Sequence, residues 1–208
     1  MSNKKVTILE KKEEWRFRDL FKVTLTRFRH TLFAGGMSES IPRIVFERAD
    51  ASAVLLYNPE KEQIYLVRQF RYPAYVALEN DNDRDIAKAW ILELVAGVIE
   101  GGQAALDTAK RELLEETGFK VTGEFKSLGT IYVSPGGTSE RIHLYLAHVK
   151  DLDKVEAGGG LVEEGEDIAL ETFSLDEAME MIDTGEINDA KTIIALQKLK
   201  LMLLESKA

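Results

Sequence analysis

The sequence predicts a mixed α/β or α+β sandwich, and three observations predict it. Short runs rich in β-branched and aromatic residues, separated by turn residues, recur from residue 21 to residue 148. A charged segment of helical composition, residues 104–117, interrupts them, and two further helix-patterned segments close the chain. Strands interleaved with a few helices bury their apolar faces only by packing in layers.

Taken in order, FKVTLTRF at 21–28 alternates, with Phe21, Val23 and Leu25 on one face and Lys22, Thr24 and Thr26 on the other. This alternation predicts a strand. Phe28 falls on the polar face, where an aromatic ring either packs against a neighbouring hairpin or stacks on a ligand. ASAVLLYNPEKEQIYLVRQFRY at 51–72 reads as strand, turn, strand, with Pro59 early in the turn. After a polar loop, NDNDRD, the stretch AWILELVAG at 89–97 predicts one buried strand. The helix at 104–117 follows, with Gly118 placed to end it. GTIYVSPGG and ERIHLYLAHV predict strands around a Ser-Pro-Gly-Gly turn, and AGGGLVEEGED at 157–167 a flexible glycine run leading into an acidic loop. Ser174 and Gly185 bracket a helix, and DAKTIIALQKLKLMLLE forms a last, amphipathic one.

The bulk properties exclude several classes. With 208 residues, 45% hydrophobic and 30% charged, the chain can build a sizeable core without disulfides. It has no cysteine, so thiolate metal sites and cysteine nucleophiles are excluded. The N-terminus lacks the apolar stretch of a secretory signal, and the most apolar segment is short for a membrane span and contains Glu93. A cytoplasmic protein without membrane partners is expected. The net charge of -9 repels nucleic-acid backbones, and RFRH at 27–30 is too short a basic stretch to overcome it. His143 and His148 have no metal-ligand spacing.

The helix at 104–117 is the informative element. Spacings of three and four residues put Glu112, Glu115 and Glu116 on neighbouring positions of one flank. A solvated face with an Arg111–Glu115 pair explains part of this. Yet acids crowd the C-terminal half, where the helix dipole disfavours negative charge, and Glu112 and Glu116 repel across one turn. A hard divalent cation would offset both penalties.

The surrounding segment GVIEGGQAALDTAKRELLEETGF, residues 97–119, resembles the Nudix box, G-x5-E-x7-R-E-U-x-E-E-x-G-U, where U is a bulky apolar residue. Gly97, Arg111, Glu112, Leu113, Glu115, Glu116, Gly118 and Phe119 match in register, and Gln103 departs from the pattern's glutamate. Further segments, including RFRHTLFAGGMS, AWILELVAGVIE, SPGGTSER and NDAKTIIALQKL, resemble the ADP-ribose-cleaving branch of that family. A neighbouring branch acts on GDP-mannose.

The resemblance implies a Nudix α/β/α sandwich with a mixed sheet at 51–208, preceded by a small β domain at 1–50 that is exchanged in a homodimer. It implies Mg²⁺-dependent, or Mn²⁺-dependent, hydrolysis of the diphosphate of ADP-ribose to AMP and ribose 5-phosphate. By the same resemblance, metal would be bound by the Ala96 carbonyl and by Glu112 and Glu116, with Glu115 a ligand or a supporting residue. Glu164 would be the general base that orients the attacking water, and Glu166 a further metal ligand. Arg111 would tie the helix to the loop at Gln103, where a glutamine can still accept from a guanidinium. Phe28 would stack on adenine from the partner subunit. Arg48 and Arg71 would line the adenosine and phosphate region, and Ser134 and Glu140 would contact the terminal ribose. Glu93, in an otherwise apolar strand, needs a partner, either nucleotide or protein. A nucleotide-sugar sensor that has lost catalysis would be expected to lack helix glutamates, and all three are present.

Overall fold

The computed structural model describes residues 4–18, 21–81 and 83–206. The chain divides into two compact units, Met1–Asp50 with Tyr132–Arg141, and Ala51–Ile131 with Ile142–Ala208.

The small unit is an antiparallel sheet in the order β1 (Val6–Phe17), β2 (Phe21–His30), β3 (Ile41–Arg48). The alternation of β2 is as predicted, but its most buried residues are Thr24 and Thr26, not the apolar set. The Thr24 hydroxyl donates to Glu47 Oε1 at 2.8 Å, and Lys11 pairs with the same carboxylate at 2.6 Å. This polar cluster covers the threonine face, whereas Phe21 stacks on Phe46 with centroids 5.7 Å apart and Val23 and Leu25 stay half-buried. Val6, Ile8, Trp15, Phe17 and Ile44 are exposed. The sequence boundary at residue 50 leaves out the Ser-Pro-Gly-Gly segment. That segment belongs to the small unit because the Phe46 N–H donates to Gly137 O at 2.8 Å and the Ser139 N–H to Phe46 O at 3.2 Å.

The large unit is built on a mixed sheet. Its path is β10 (Ile168–Ser174), β5 (Gln63–Phe70), β4 (Ala51–Asn58), β9 (Arg141–His148), β8 (Phe125–Tyr132). β4 runs parallel to β9 and antiparallel to β5. Every residue of β4 is buried, and its alternation divides the core. Ala53, Leu55 and Tyr57 join Ile64 and Leu66 of β5 under α3 (Leu175–Thr184) and α4 (Ala190–Glu205). Val54 and Leu56 join Tyr65 and Val67 under α2 (Ala105–Thr117), through Leu113 and Phe119. Period-two strands buried on both faces between helices give the expected α/β/α layering.

Two elements differ from expectation. The predicted single strand at 89–97 is two, β6 (Trp90–Glu93) on β5 and β7 (Val95–Val98) on β4. The switch falls at Leu94, whose N–H is taken by Thr192 Oγ1 of α4 at 3.0 Å instead of by a ladder partner. A helix not foreseen, α1 (Tyr72–Asn80), follows β5, with Pro73 in its first turn as the signal that could have found it. Among the described residues, no helix is long and apolar enough to cross a membrane.

Candidate active site

The site is assembled on α2 and the loops that touch it. The buried face of α2 carries Thr108, Ala109, Glu112, Leu113, Glu116 and Thr117, so the helix turns two carboxylates toward the sheet among its apolar residues. Glu115 stands at the rim. The three acids therefore do not share one flank equally. Glu112 and Glu116 face inward because Leu113 and Ala109 must, and positions 112 and 116 lie on the same stripe.

Gly97, at the end of β7, lies directly beneath Glu112. A Cβ there would come within 1.8 Å of Glu112 Oε1, so no larger residue leaves the carboxylate in place. Arg111 spans the outer side, with Nη2 donating to Glu112 Oε1 at 2.6 Å and Nη1 to Glu115 Oε2 at 2.7 Å. The expected tie between Arg111 and Gln103 is replaced by these pairs. Gln103 is exposed, and its Oε1 accepts from the Thr108 hydroxyl at 3.2 Å.

Burial governs the electrostatics. It pushes the Glu112 carboxyl up to about 7, and the Arg111 guanidinium offsets this only in part, with Glu115 and Glu166 adding repulsion. Glu116 is raised well above the carboxylate range, first by burial and then by the charges of Glu112, Glu166 and Glu93. The Ala96 N–H donates to the Glu116 carboxylate, so Ala96 meets Glu116 through its amide. Glu116 Oε2 is buried without a hydrogen-bond partner.

The acidic loop approaches the C-terminal end of α2. Its glycine run, expected to be flexible, is packed: the Gly159 N–H donates to Glu116 O at 2.8 Å and the Gly160 N–H to Glu115 O at 3.1 Å. Glu166 Oε2 accepts the Leu161 N–H at 2.9 Å. Glu164 ends the short 3₁₀ turn Val162–Glu164, and its side chain lies outside the described residues.

Glu93 is 3% exposed, and its cost of burial is met by protein. Arg71 Nε donates to Oε1 at 2.6 Å and Lys191 Nζ to Oε2 at 2.5 Å, while Lys191 also pairs with Asp189 at 3.1 Å. Sequence reasoning missed Lys191 and Asp189. The available signal was an aspartate before a helical run, and Asp189 does cap α4 by accepting from the Thr192 N–H at 3.0 Å.

Ala96, Arg111, Glu112, Glu115, Glu116 and Glu166 are thus brought together, with Arg71 and Glu93 alongside, since both charges act on Glu116 or on each other. Apart from Glu164, the remaining expected residues, Phe28, Arg48, Ser134 and Glu140, belong to the small unit. There Arg48 Nη2 pairs with Glu140 Oε1 at 3.3 Å, and its Nε is buried without a partner. Exposed Ser134 accepts the N–H groups of Gly137 and Thr138 at its carbonyl, and Phe28 is half-buried beside His30.

The NUDIX domain profile matches residues 47–196. The chain belongs to the Nudix family. The ADP-ribose pyrophosphatase of Escherichia coli strain K12 is 38% identical over 89% of this chain and 84% of its own length. The GDP-mannose pyrophosphatase of Escherichia coli strain UTI89 is 37% identical over 76% of this chain and 78% of its own. A solved structure described as an ADP compounds hydrolase aligns with a TM-score of 0.69 over 97% of this chain and 96% of that one, at 21% identity, which shows the shared fold. As a Nudix hydrolase, the chain is of a kind that uses divalent metal ions.

The residues present fit such an ion. Hard cations take carboxylate oxygens, and Glu116 offers a buried oxygen that no group among the described residues satisfies. Among the described residues no three acidic or imidazole side chains converge closely enough to hold a metal as they stand. Arg111 holds Glu112 and Glu115, and Glu166 is turned to the Leu161 N–H, so coordination requires these side chains to exchange partners.

Proposed function

We propose that this protein hydrolyses the diphosphate of ADP-ribose to AMP and ribose 5-phosphate, with Mg²⁺ or Mn²⁺ as cofactor. The observation that carries the reading is the pair of inward carboxylates Glu112 and Glu116, raised by burial and with one oxygen unpartnered. A diphosphate would be repelled by these acids alone. A bound divalent cation supplies charge neutralisation of the diphosphate and of the transition state.

Glu112 and Glu116 would hold that cation, with Glu166, Glu115 and the Ala96 carbonyl available to complete its shell. Arg111 keeps Glu112 and Glu115 apart from each other's charge. Glu164 accepts a proton from the attacking water. Arg71, partly exposed beside Glu93, is directed toward substrate phosphate or adenosine, and the Lys191 ammonium keeps Glu93 fixed. Phe28 of a partner copy, and Arg48, Ser134 and Glu140, are the proposed contacts to base and ribose carried over from the family resemblance. The exposed apolar side chains of β1 and β3 support a homodimer in which a second copy covers this sheet. A cytoplasmic location is part of the same proposal.

Incubation with ADP-ribose and Mg²⁺, followed by anion-exchange separation, should yield AMP. The 37% identity to GDP-mannose pyrophosphatases favours a second substrate reading. GMP from GDP-mannose, with no AMP from ADP-ribose, would establish that reading and overturn the first.

A further inference from the structure

The glycine run before the acidic loop has a geometry that the hydrolase reading leaves unexplained. Gly158, Gly159 and Gly160 have φ of +72°, +110° and +81°, three consecutive residues in conformations that side chains disfavour. A flexible linker does not require such a run, and this one is hydrogen-bonded. Two of its N–H groups take the carbonyls of Glu115 and Glu116, which the end of α2 would otherwise leave unsatisfied. A Cβ on Gly158 would come within 2.5 Å of Thr117 C and 2.7 Å of Glu116 O, and one on Gly160 within 2.7 Å of Glu166 Cβ. The run therefore lies in direct contact with the helix end on one side and with the loop carboxylate on the other.

The far side of the loop is closed as well. The Ile168 N–H donates to Gly159 O at 3.2 Å, and inside that closure the Glu166 N–H donates to Leu161 O at 3.2 Å while Glu166 Oε2 takes the Leu161 N–H. Residues 161–166 thus form a small closed loop whose base is fastened to the main chain of the two residues, Glu115 and Glu116, that also carry helix carboxylates.

We infer that Gly158, Gly159 and Gly160 are positioning residues, a strap that holds the base of the acidic loop on the C-terminal end of α2 and so sets where Glu164 and Glu166 stand relative to Glu112 and Glu116. This rests on the hydrolase reading above. The strap confines loop adjustment to residues 161–166, and a displacement of its base by an ångström moves the loop acids. Errors of that size cost catalysis about 100-fold in other enzymes.

The test compares Gly160→Ala with Gly185→Ala in steady-state hydrolysis of ADP-ribose, or of GDP-mannose if that is the substrate turned over. Gly185 has φ of +82° and open space around it, at the end of α3, so its substitution brings backbone strain alone. Gly185→Ala is expected to lower Tm while keeping kcat within about twofold of wild type, and Gly160→Ala to lower kcat at least about tenfold with KM little changed. A folded Gly160→Ala protein with wild-type kcat would overturn the inference. Should that variant not fold, amide hydrogen exchange on the wild-type protein decides. Gly159 and Gly160 amides as protected as that of Gly118 uphold the strap, and exchange at free-peptide rates overturns it. Absence of turnover by the wild type would overturn the hydrolase reading and the catalytic role of the glycines together, while the exchange data would still judge the strap itself.

Discussion

Glu93 and Glu116 are equally buried, at 3% exposure each, and are treated in opposite ways. At the junction of β6 and β7, Glu93 receives a guanidinium on one oxygen and an ammonium on the other. In the last turn of α2, Glu116 receives one main-chain N–H and leaves Oε2 unpartnered. Burying a carboxylate costs several kcal/mol unless it is paired. The protein therefore neutralises Glu93 from within and leaves Glu116 Oε2 unsatisfied, the place the proposed cation would fill. Under the proposed function, the difference separates a carboxylate that holds the fold from one kept for chemistry.

The largest expected effect breaks the second of these. Glu116→Gln should lower turnover by about 10²–10³-fold, in the range of losing one transition-state electrostatic contact or more. Thermal stability of the metal-free protein should stay level or rise, because a buried carboxyl that pays for ionisation is replaced by a neutral amide. Near-normal turnover would sink the metal assignment.

The converse substitution attacks the first. Lys191→Met strips the ammonium from Glu93, and leaving a buried charge short of its partner costs about 3–5 kcal/mol. Urea unfolding should show that loss, and an unchanged midpoint would mean that Glu93 does not depend on its protein partners.

A pH experiment sharpens the comparison further. The folded-state pKa of Glu112, about 7, lies above its ordinary 4.5, and that of Glu116 is shifted the same way. The folded protein thus binds more protons than the unfolded chain between these values, so metal-free stability falls as pH rises from about 4.5 through 7. Divalent cations bind the deprotonated form. Mg²⁺ should therefore raise Tm by about 3 °C or more at pH 8 and much less at pH 5. Equal shifts at both pH values would contradict the role given to the pair.

Much of this was legible in the sequence, unevenly. The box from Gly97 to Phe119 was readable because each fixed residue answers a local demand: glycine beneath Glu112, left-handed Gly118 ending α2, acids on one stripe. A layered α/β or α+β sandwich followed from strands interleaved with helices, and its α/β/α form from the family resemblance. Partners set by tertiary contact were not readable. Lys191 and Glu93 are 98 residues apart, and nothing local in DAKT announces a buried ammonium. The break of 89–97 into two strands depends on Thr192 reaching Leu94, again from α4. The burial of the threonine face of β2 was not readable either, because Glu47 and Lys11 arrive from the flanking strands. The packed glycine run was misread as flexible, since glycine serves close approach as readily as mobility.

The smallest expected effect concerns Gln103. Its amide oxygen takes the Thr108 hydroxyl and leaves Arg111 to the helix acids. Gln103→Glu should change stability by about 1 kcal/mol or less and leave turnover within a few-fold of wild type. A hundredfold gain would place that position in the metal site.

The central claim is that Glu116 receives its missing partner as a divalent cation. Mn²⁺ binding, followed by electron paramagnetic resonance at pH 8, tests it without reference to substrate. Wild-type protein should bind Mn²⁺ at least about tenfold more tightly than Glu116→Gln, the effect of losing one charged ligand. Equal affinity in the two proteins, with both folded, would contradict it.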